Sequence, residues 1–135
     1  MSEYDFGQFT PKHLTKVREG IELYNKEFFL ECHEALEDAW LEDVNDSARL
    51  IYWAIIQVAT SLHHVRDENT NGARGMLSKA KEKIQKAEDS NVETDVLFNN
   101  LSWQKFKQLV RAVPDDSKSL KDYDQLYQFK FSEFK

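Results

Sequence analysis

Cysteine is nearly absent: Cys32 stands alone in 135 residues. That excludes an intramolecular disulfide and any cysteine-rich zinc site, and it fits a reducing compartment. No apolar run reaches the ~18 residues that would span a bilayer, and no basic-then-apolar leader opens the chain. A cytoplasmic protein without a membrane partner is therefore expected. Basic charge is also in short supply, with 18 Lys and Arg against 24 Asp and Glu and a net charge of −6. A sequence-independent grip on DNA or RNA needs a concentrated basic surface, so nucleic acid is excluded as a partner class. The cluster of Lys79, Lys81, Lys83 and Lys86 is interrupted by Glu82 and Glu88 and reads as a solvated helix face. Several catalytic signatures are missing as well. There is no glycine-rich phosphate loop, no Ser or Cys triad pattern, and no Glu-x-x-His of the kind that ferritin-like di-iron sites use.

What is present is the material of one helical domain over residues 1–135, with 41% hydrophobic and 31% charged residues. Such a chain can bury roughly two-thirds of its unfolded surface. Thr10-Pro11 is a helix start, with Thr as N-cap and Pro in the first turn. Leu14, Val17, Ile21 and Tyr24 follow at helical spacing, Gly20 permits close approach of a second helix, and Asn25 ends the element. The next helix holds Phe28–Trp40. Asp43–Asp46 is a turn, with Asp46 or Ser47 able to cap a third helix over about 48–67. That helix is apolar nearly all round, which marks it as central. A fourth runs from the Glu68–Gly72 connection to Asp89, with Ala73, Leu77, Ala80, Ile84 and Ala87 as a narrow seam. Shorter helices are expected near Val96–Leu101 and from Ser102 to Pro114. Residues 115–135 fit both helix and extended chain, and Tyr4, Phe6 and Phe9 form an arm that packs back on the body. The predicted architecture is all-α: a compact bundle of four long helices plus one or two shorter C-terminal ones.

Phe28–Trp40 organises the rest. At about 100° per residue, Glu27, Glu31, Glu34, Asp38 and Glu42 share one side, and Phe29, Cys32, Leu36, Ala39 and Trp40 form an apolar arc. His33 and Glu37, one turn apart, are read as lying inside that arc, where an ionisable pair must be bonded, neutralised or metal-bound. On this basis Glu37 is expected to be buried and Glu34 exposed. On the third helix, Gln57, Ser61, His64 and Glu68 fall in line with Leu50 and Trp53. His64 is thus expected to point inward at the His33–Glu37 pair, with His63 outward, facing solvent or a homo-oligomer contact. His13, in a first turn, is expected to be exposed.

His33, Glu37 and His64 together offer two imidazoles and a carboxylate, a ligand set suited to one divalent transition metal such as Zn, Fe or Mn. Gln57, Ser61 and Glu68 would support it, and Trp40 and Trp53 would wall the pocket. Two function classes follow: a metal-dependent hydrolase-type enzyme, or a non-enzymatic helical module for a protein partner or small ligand, with a structural His–Glu–Gln network. The zincin motif is approached but not met, because the fifth position of His33-Glu-Ala-Leu-Glu37 is glutamate.

At these residues the chain resembles domain-of-unknown-function family 309. His33-x-x-x-Glu37-x-x-Trp40, preceded by Gly20 and Phe28-Phe29, is similar to the family's signature. Tyr52…Ile56-Gln57…Ala59…Leu62-His63-His64…Asn69…Gly72-Ala73 is similar to its second block. Together they cover about 15–90. The resemblance implies a small helical protein of bacterial or archaeal type, with relatives in plastid-bearing lineages, without an assigned activity and with a motif suggested to bind metal. Trp53 stands where many relatives have glycine.

Overall fold

The computed structural model describes residues 7–132. Its helices are α1 (Pro11–Asn25), α2 (Phe29–Glu42), α3 (Arg49–Arg66), α4 (Thr70–Asp89), α5 (Asp95–Leu101), α6 (Trp103–Ala112) and α7 (Asp124–Gln128), with a 3-10 turn at Leu120–Tyr123. The all-α expectation holds. The open C-terminal stretch resolves into the 3-10 turn, α7 and an extended end, and among the described residues no strand forms.

Short links make α1 to α4 pack as successive neighbours, with α3 between α2 and α4. Each of these links holds a residue in the left-handed region, Glu27 (φ 65°), Asn45 (φ 74°) and Glu68 (φ 58°), as does Asn91 (φ 60°) after α4; the helix ends at Glu27, Glu68 and Asn91 close alike. The next amide then bonds back five residues, Phe28 to Leu23 O, Asn69 to His64 O and Val92 to Ala87 O. This is the Schellman closure of a helix end, made twice by glutamate rather than glycine. At the start of α4, Asn69 accepts from Gly72 N at 2.9 Å, the expected cap.

The predicted central helix is α3. Ile51, Ala54, Ile55, Val58, Ala59 and Leu62 have no measurable exposure. The seam Ala73, Leu77, Ala80, Ile84 and Ala87 of α4 is buried as expected, and α6 and the 3-10 turn close further sides. Lys107, buried on α6, bonds Glu88 at 2.7 Å and Glu93 at 2.9 Å. Arg111 reaches the same Glu88, and its guanidinium, ahead of Lys107, holds that carboxyl down at about 2.

The chain ends are anchored by residues whose alternation the sequence already displayed. Phe9 is buried, its N–H bonds Val92 O at 3.0 Å, and Thr94 Oγ1 donates to Phe9 O. Tyr4 and Phe6 lie outside the described residues. Phe131 packs on Tyr24 and Phe106, each at 4.9 Å between ring centroids, and Asn25 brackets its backbone through both amide atoms. Ser102 begins α6 without a side-chain cap, and its hydroxyl meets that of Ser132 instead.

Gly20 permits the α1–α2 approach. A Cβ there would lie 2.5 Å from Leu36 Cγ, a side chain with no exposure. Gly20→Ala should cost about 1–3 kcal/mol by overpacking. Gly75→Ala, with nothing within 4 Å, should gain up to about 1 kcal/mol from helix propensity. Chemical denaturation of the two variants should give opposite signs; equal shifts would contradict this packing.

Candidate functional site

α2 and α3 run antiparallel, and four contacts set their register. Arg66 lies 5.1 Å from the Phe29 ring, Thr60 Oγ1 3.5 Å from His33 Nδ1, Trp53 5.4 Å from Trp40, and Arg49 3.5 Å over Trp40. The side of α3 that meets α2 therefore carries Arg49, Trp53, Ile56 and Thr60, and by register His63 belongs to the same side. His33 is half-buried, and Glu37 is exposed, at 55% of its side chain. The burial expected for Glu37 is thus corrected, while Glu34 is exposed as expected. The buried arc centres between Cys32 and Leu36, and Glu37 sits about 120° from that centre, off the buried face. His33 Nε2 and Glu37 Oε2 are 3.6 Å apart.

The Gln57, Ser61 and His64 line does not face α2. It faces α4, because α3 has a neighbour on each flank. Ser61 Oγ donates to Ala73 O at 2.7 Å, and His64 Nδ1 lies 3.3 Å from Asn69 Nδ2. A Cβ on Gly72 would lie 2.9 Å from the His64 ring. Gln57 is buried with Oε1 unpartnered, and Glu68 is exposed in the α3–α4 link. His63, at 3.3 Å from Asp67, and His64 are both half-buried, so the expected inward–outward contrast between them is not observed. His33 and Glu37 thus lie on the α2 side of α3 and His64 on the α4 side.

Among the described residues, the ligand atoms that do converge, all within 4.8 Å of one another, belong to His13, Asp43 and Asp46. His13 is 4% exposed, against the expectation from its first-turn position. Thr10 N–H donates to Nδ1 at 2.9 Å, and Nε2 lies 2.8 Å from Asp46 Oδ2. A backbone donor on Nδ1 fixes the neutral tautomer with its hydrogen on Nε2, aimed at Asp46. Asp46 Oδ1 accepts from Gly7 N and Ala48 N, the latter at 2.9 Å; Ala48, not the expected Asp46 or Ser47, is the N-cap of α3, which has no side-chain cap bond. Asp43 accepts from Lys16 at 2.5 Å and from Tyr52 at 2.7 Å. Burial pushes the Asp43 carboxyl up, but the bonds from Lys16 and Tyr52 outweigh it and hold the group below its usual range. Burial and then Asp43 raise the Tyr52 phenol. A cation would have to displace the Nε2 proton and sit beside the Lys16 ammonium. These residues form a bolt joining α1, the 43–48 link and α3. The Thr10-x-x-His13 spacing, a capping box with imidazole in place of glutamate, is the signal that could have revealed it.

Beside the bolt lies a cavity of about 500 Å³ lined by Trp40, Asn45, Asp46, Ser47, Arg49, Leu50 and Trp53. Trp40 and Trp53, read from sequence as pocket walls, are half-buried and meet edge to face. Trp40 Nε1 and Arg49 Nε are both buried without an acceptor. Lys83 lies 4.2 Å over Trp53. It is 7% exposed rather than part of a solvated face, and burial lowers its pKa. Cys32 is fully buried, and burial pushes its thiol up to about 12, as expected for an inert core residue.

An all-α bundle with a half-open His–Glu–Trp line on its second helix defines the class of protein. Residues 17–76, from α1 into α4, match the family described as Domain of unknown function (DUF309). Uncharacterized protein YpuF of Bacillus subtilis (strain 168) is 34% identical over 58 residues, 43% of this chain and 33% of the relative. The matched stretch thus spans about a third of that relative's length. No solved structure matches the chain. Among the described residues no helix is long and apolar enough to cross a membrane.

The bolt and the motif carboxylate should differ in stability. Asp43→Asn should cost about 2 kcal/mol or more, by weakening two buried bonds. Glu37→Ala should stay within about 0.5 kcal/mol. The folded pKa of Asp43 is depressed, so its contribution is present above the unfolded value of about 3.9 and is lost as pH falls through the folded one. Urea titrations at pH 7 and pH 3 should show the Asp43→Asn deficit shrinking at the lower pH.

Proposed function

We propose that this chain is a non-enzymatic binding module whose recognition site is the Trp40–Arg49–Trp53 cavity, occupied by a small organic ligand. The observation that carries it is the pair of desolvated donors, Trp40 Nε1 and Arg49 Nε, without a protein acceptor at an open cavity. An unsatisfied buried donor costs about 1–3 kcal/mol, a cost that a ligand acceptor would relieve. The volume falls within the ~300–1,000 Å³ typical of small-molecule sites. The His–Glu–Gln groups are then structural or peripheral: Ser61 and His64 tie α3 to α4, and His33 touches Thr60.

The three tryptophans make the site testable, because Trp103 is buried elsewhere against Phe106 and serves as an internal control. In two-dimensional NMR, small aromatic compounds should shift the indole N–H signals of Trp40 and Trp53 and leave Trp103 in place. Shifts spread equally over all three, or none at all, would count against a site here.

A second reading keeps the metal, in reduced form. His33 Nε2 and Glu37 Oε2 are 3.6 Å apart at a half-open position, so they could supply two ligands to one divalent ion, with solvent completing its shell. Zinc, iron or manganese binding measured by calorimetry should then be lost in His33→Ala, retained in His64→Ala, and weakened below about pH 6, where protons compete for imidazole. Loss of binding in His64→Ala would restore the three-residue set instead.

A further inference from the structure

The cations of this chain are not treated alike. Lys16, Lys81 and Lys107, all buried or half-buried, each reach a carboxylate, at 2.5, 2.6 and 2.7 Å. Arg74, also half-buried, reaches Ser117 O and Asn71. Arg49 and Lys83 instead lie on indole faces. The Arg49 guanidinium is 3.5 Å over Trp40, and among the described residues no side-chain hydrogen bond or ion pair engages it. In a chain with six more acids than bases, an arginine lining a cavity without an acid partner is conspicuous.

The carboxylate nearest at hand cannot serve. Asp46 lines the same cavity, but Oδ2 is engaged by His13 and Oδ1 by the amides of Gly7 and Ala48. Releasing it would open the bolt.

We propose that the Trp40–Arg49–Trp53 cavity binds an organic monocarboxylate with an apolar body, its carboxylate taken by the Arg49 guanidinium. This rests on the reading of that cavity as a binding site. A guanidinium stacked on an indole keeps its planar edge available, and that edge matches a carboxylate through two parallel N–H bonds. Trp40, Trp53 and Leu50 provide an apolar wall for the remainder of the ligand. A single negative charge suits the site better than two. Arg49 is the one basic residue lining the cavity, Asp46 adds negative potential there, and Lys83 stands over Trp53 outside the lining set. The carboxylate could belong to a free organic acid or to the C-terminus of a peptide, since both offer the same group.

The probes are 2-naphthoate, its neutral isostere 2-naphthamide, 2-naphthyl phosphate, and N-acetyl-Gly-Leu-Phe as free acid and as C-terminal amide. Binding to the full chain is read by calorimetry and by the Trp40 and Trp53 indole N–H shifts. In at least one matched pair the acid should bind ten-fold or more tighter than its amide, and the pair that does so identifies the source. Naphthyl phosphate should bind more weakly than naphthoate. Arg49→Gln should abolish the preference for acid over amide while the bound amide still shifts both indoles. Arg49→Lys should retain part of the preference, and it serves in place of the glutamine variant if that variant does not fold by circular dichroism. Acid and amide binding alike, phosphate binding tightest, or a preference that survives Arg49→Gln would each overturn the carboxylate and leave the cavity as a site. No probe shifting either indole would overturn both.

Discussion

The structure depends on how completely α3 is enclosed. A helix apolar over most of its circumference must be covered on several sides, and α2, α4, the 3-10 turn and neighbouring side chains divide that task. Each fully buried Ile, Leu or Val contributes about 1.5–3 kcal/mol, which outweighs local preferences such as the left-handed glutamates at two links. Enclosure is not complete. Arg49, Trp53, Thr60, His63 and His64 are half-buried, and this partly open strip is where both candidate functions lie.

Charge is used sparingly and in pairs inside this fold. Lys16 with Asp43, Lys107 with Glu88 and Glu93, and His13 with Asp46 all sit between elements, where a partnered charge locks one arrangement. The His13 bolt is the clearest case, because its tautomer is set by a backbone amide and its carboxylate also accepts the Ala48 amide just ahead of the helix that carries Arg49. Stability and site geometry are thereby joined: the loop that lines the cavity is held by bonds that leave Arg49 unpaired. Burying cations on tryptophan faces, as Arg49 and Lys83 do, is tolerated because the ring supplies an electrostatic partner without an acceptor atom.

The contrast between the two His–acid groups is instructive for metal binding. His33 and Glu37 have the spacing that suggests coordination, yet they stand at an edge with His64 on the other side of α3. His13, Asp43 and Asp46 have the convergence, yet their lone pairs and protons are already committed. Ligand spacing along a helix and convergence in space are separate conditions, and here they are met by different residues.

Much of the fold was legible in the residues alone. The starts at Thr10-Pro11 and Asn69, the ends at Asn25, Asp89 and Pro114, the seam of α4 and the close approach at Gly20 depend on atoms within a few positions or on one periodic face. The resemblance that the family match over 17–76 supports is legible for the same reason. What only the tertiary structure decided is which flank of each helix receives a neighbour. Glu37 was placed on an apolar arc, but it lies about 120° from the centre of the buried face and stays exposed. His64 was placed inward correctly in angle but toward the wrong helix, since a wheel diagram gives no information on whether α2 or α4 lies beyond. His13 and Lys83 looked solvated because nothing local shows that Asp46 or Trp53 will cover them. The sequence by itself determined the helices and their apolar faces, because those follow from short-range bonding and period. Packing in three dimensions decided which ionisable groups are shut in, which are paired and which, as Arg49 and Lys83, rest on an indole face.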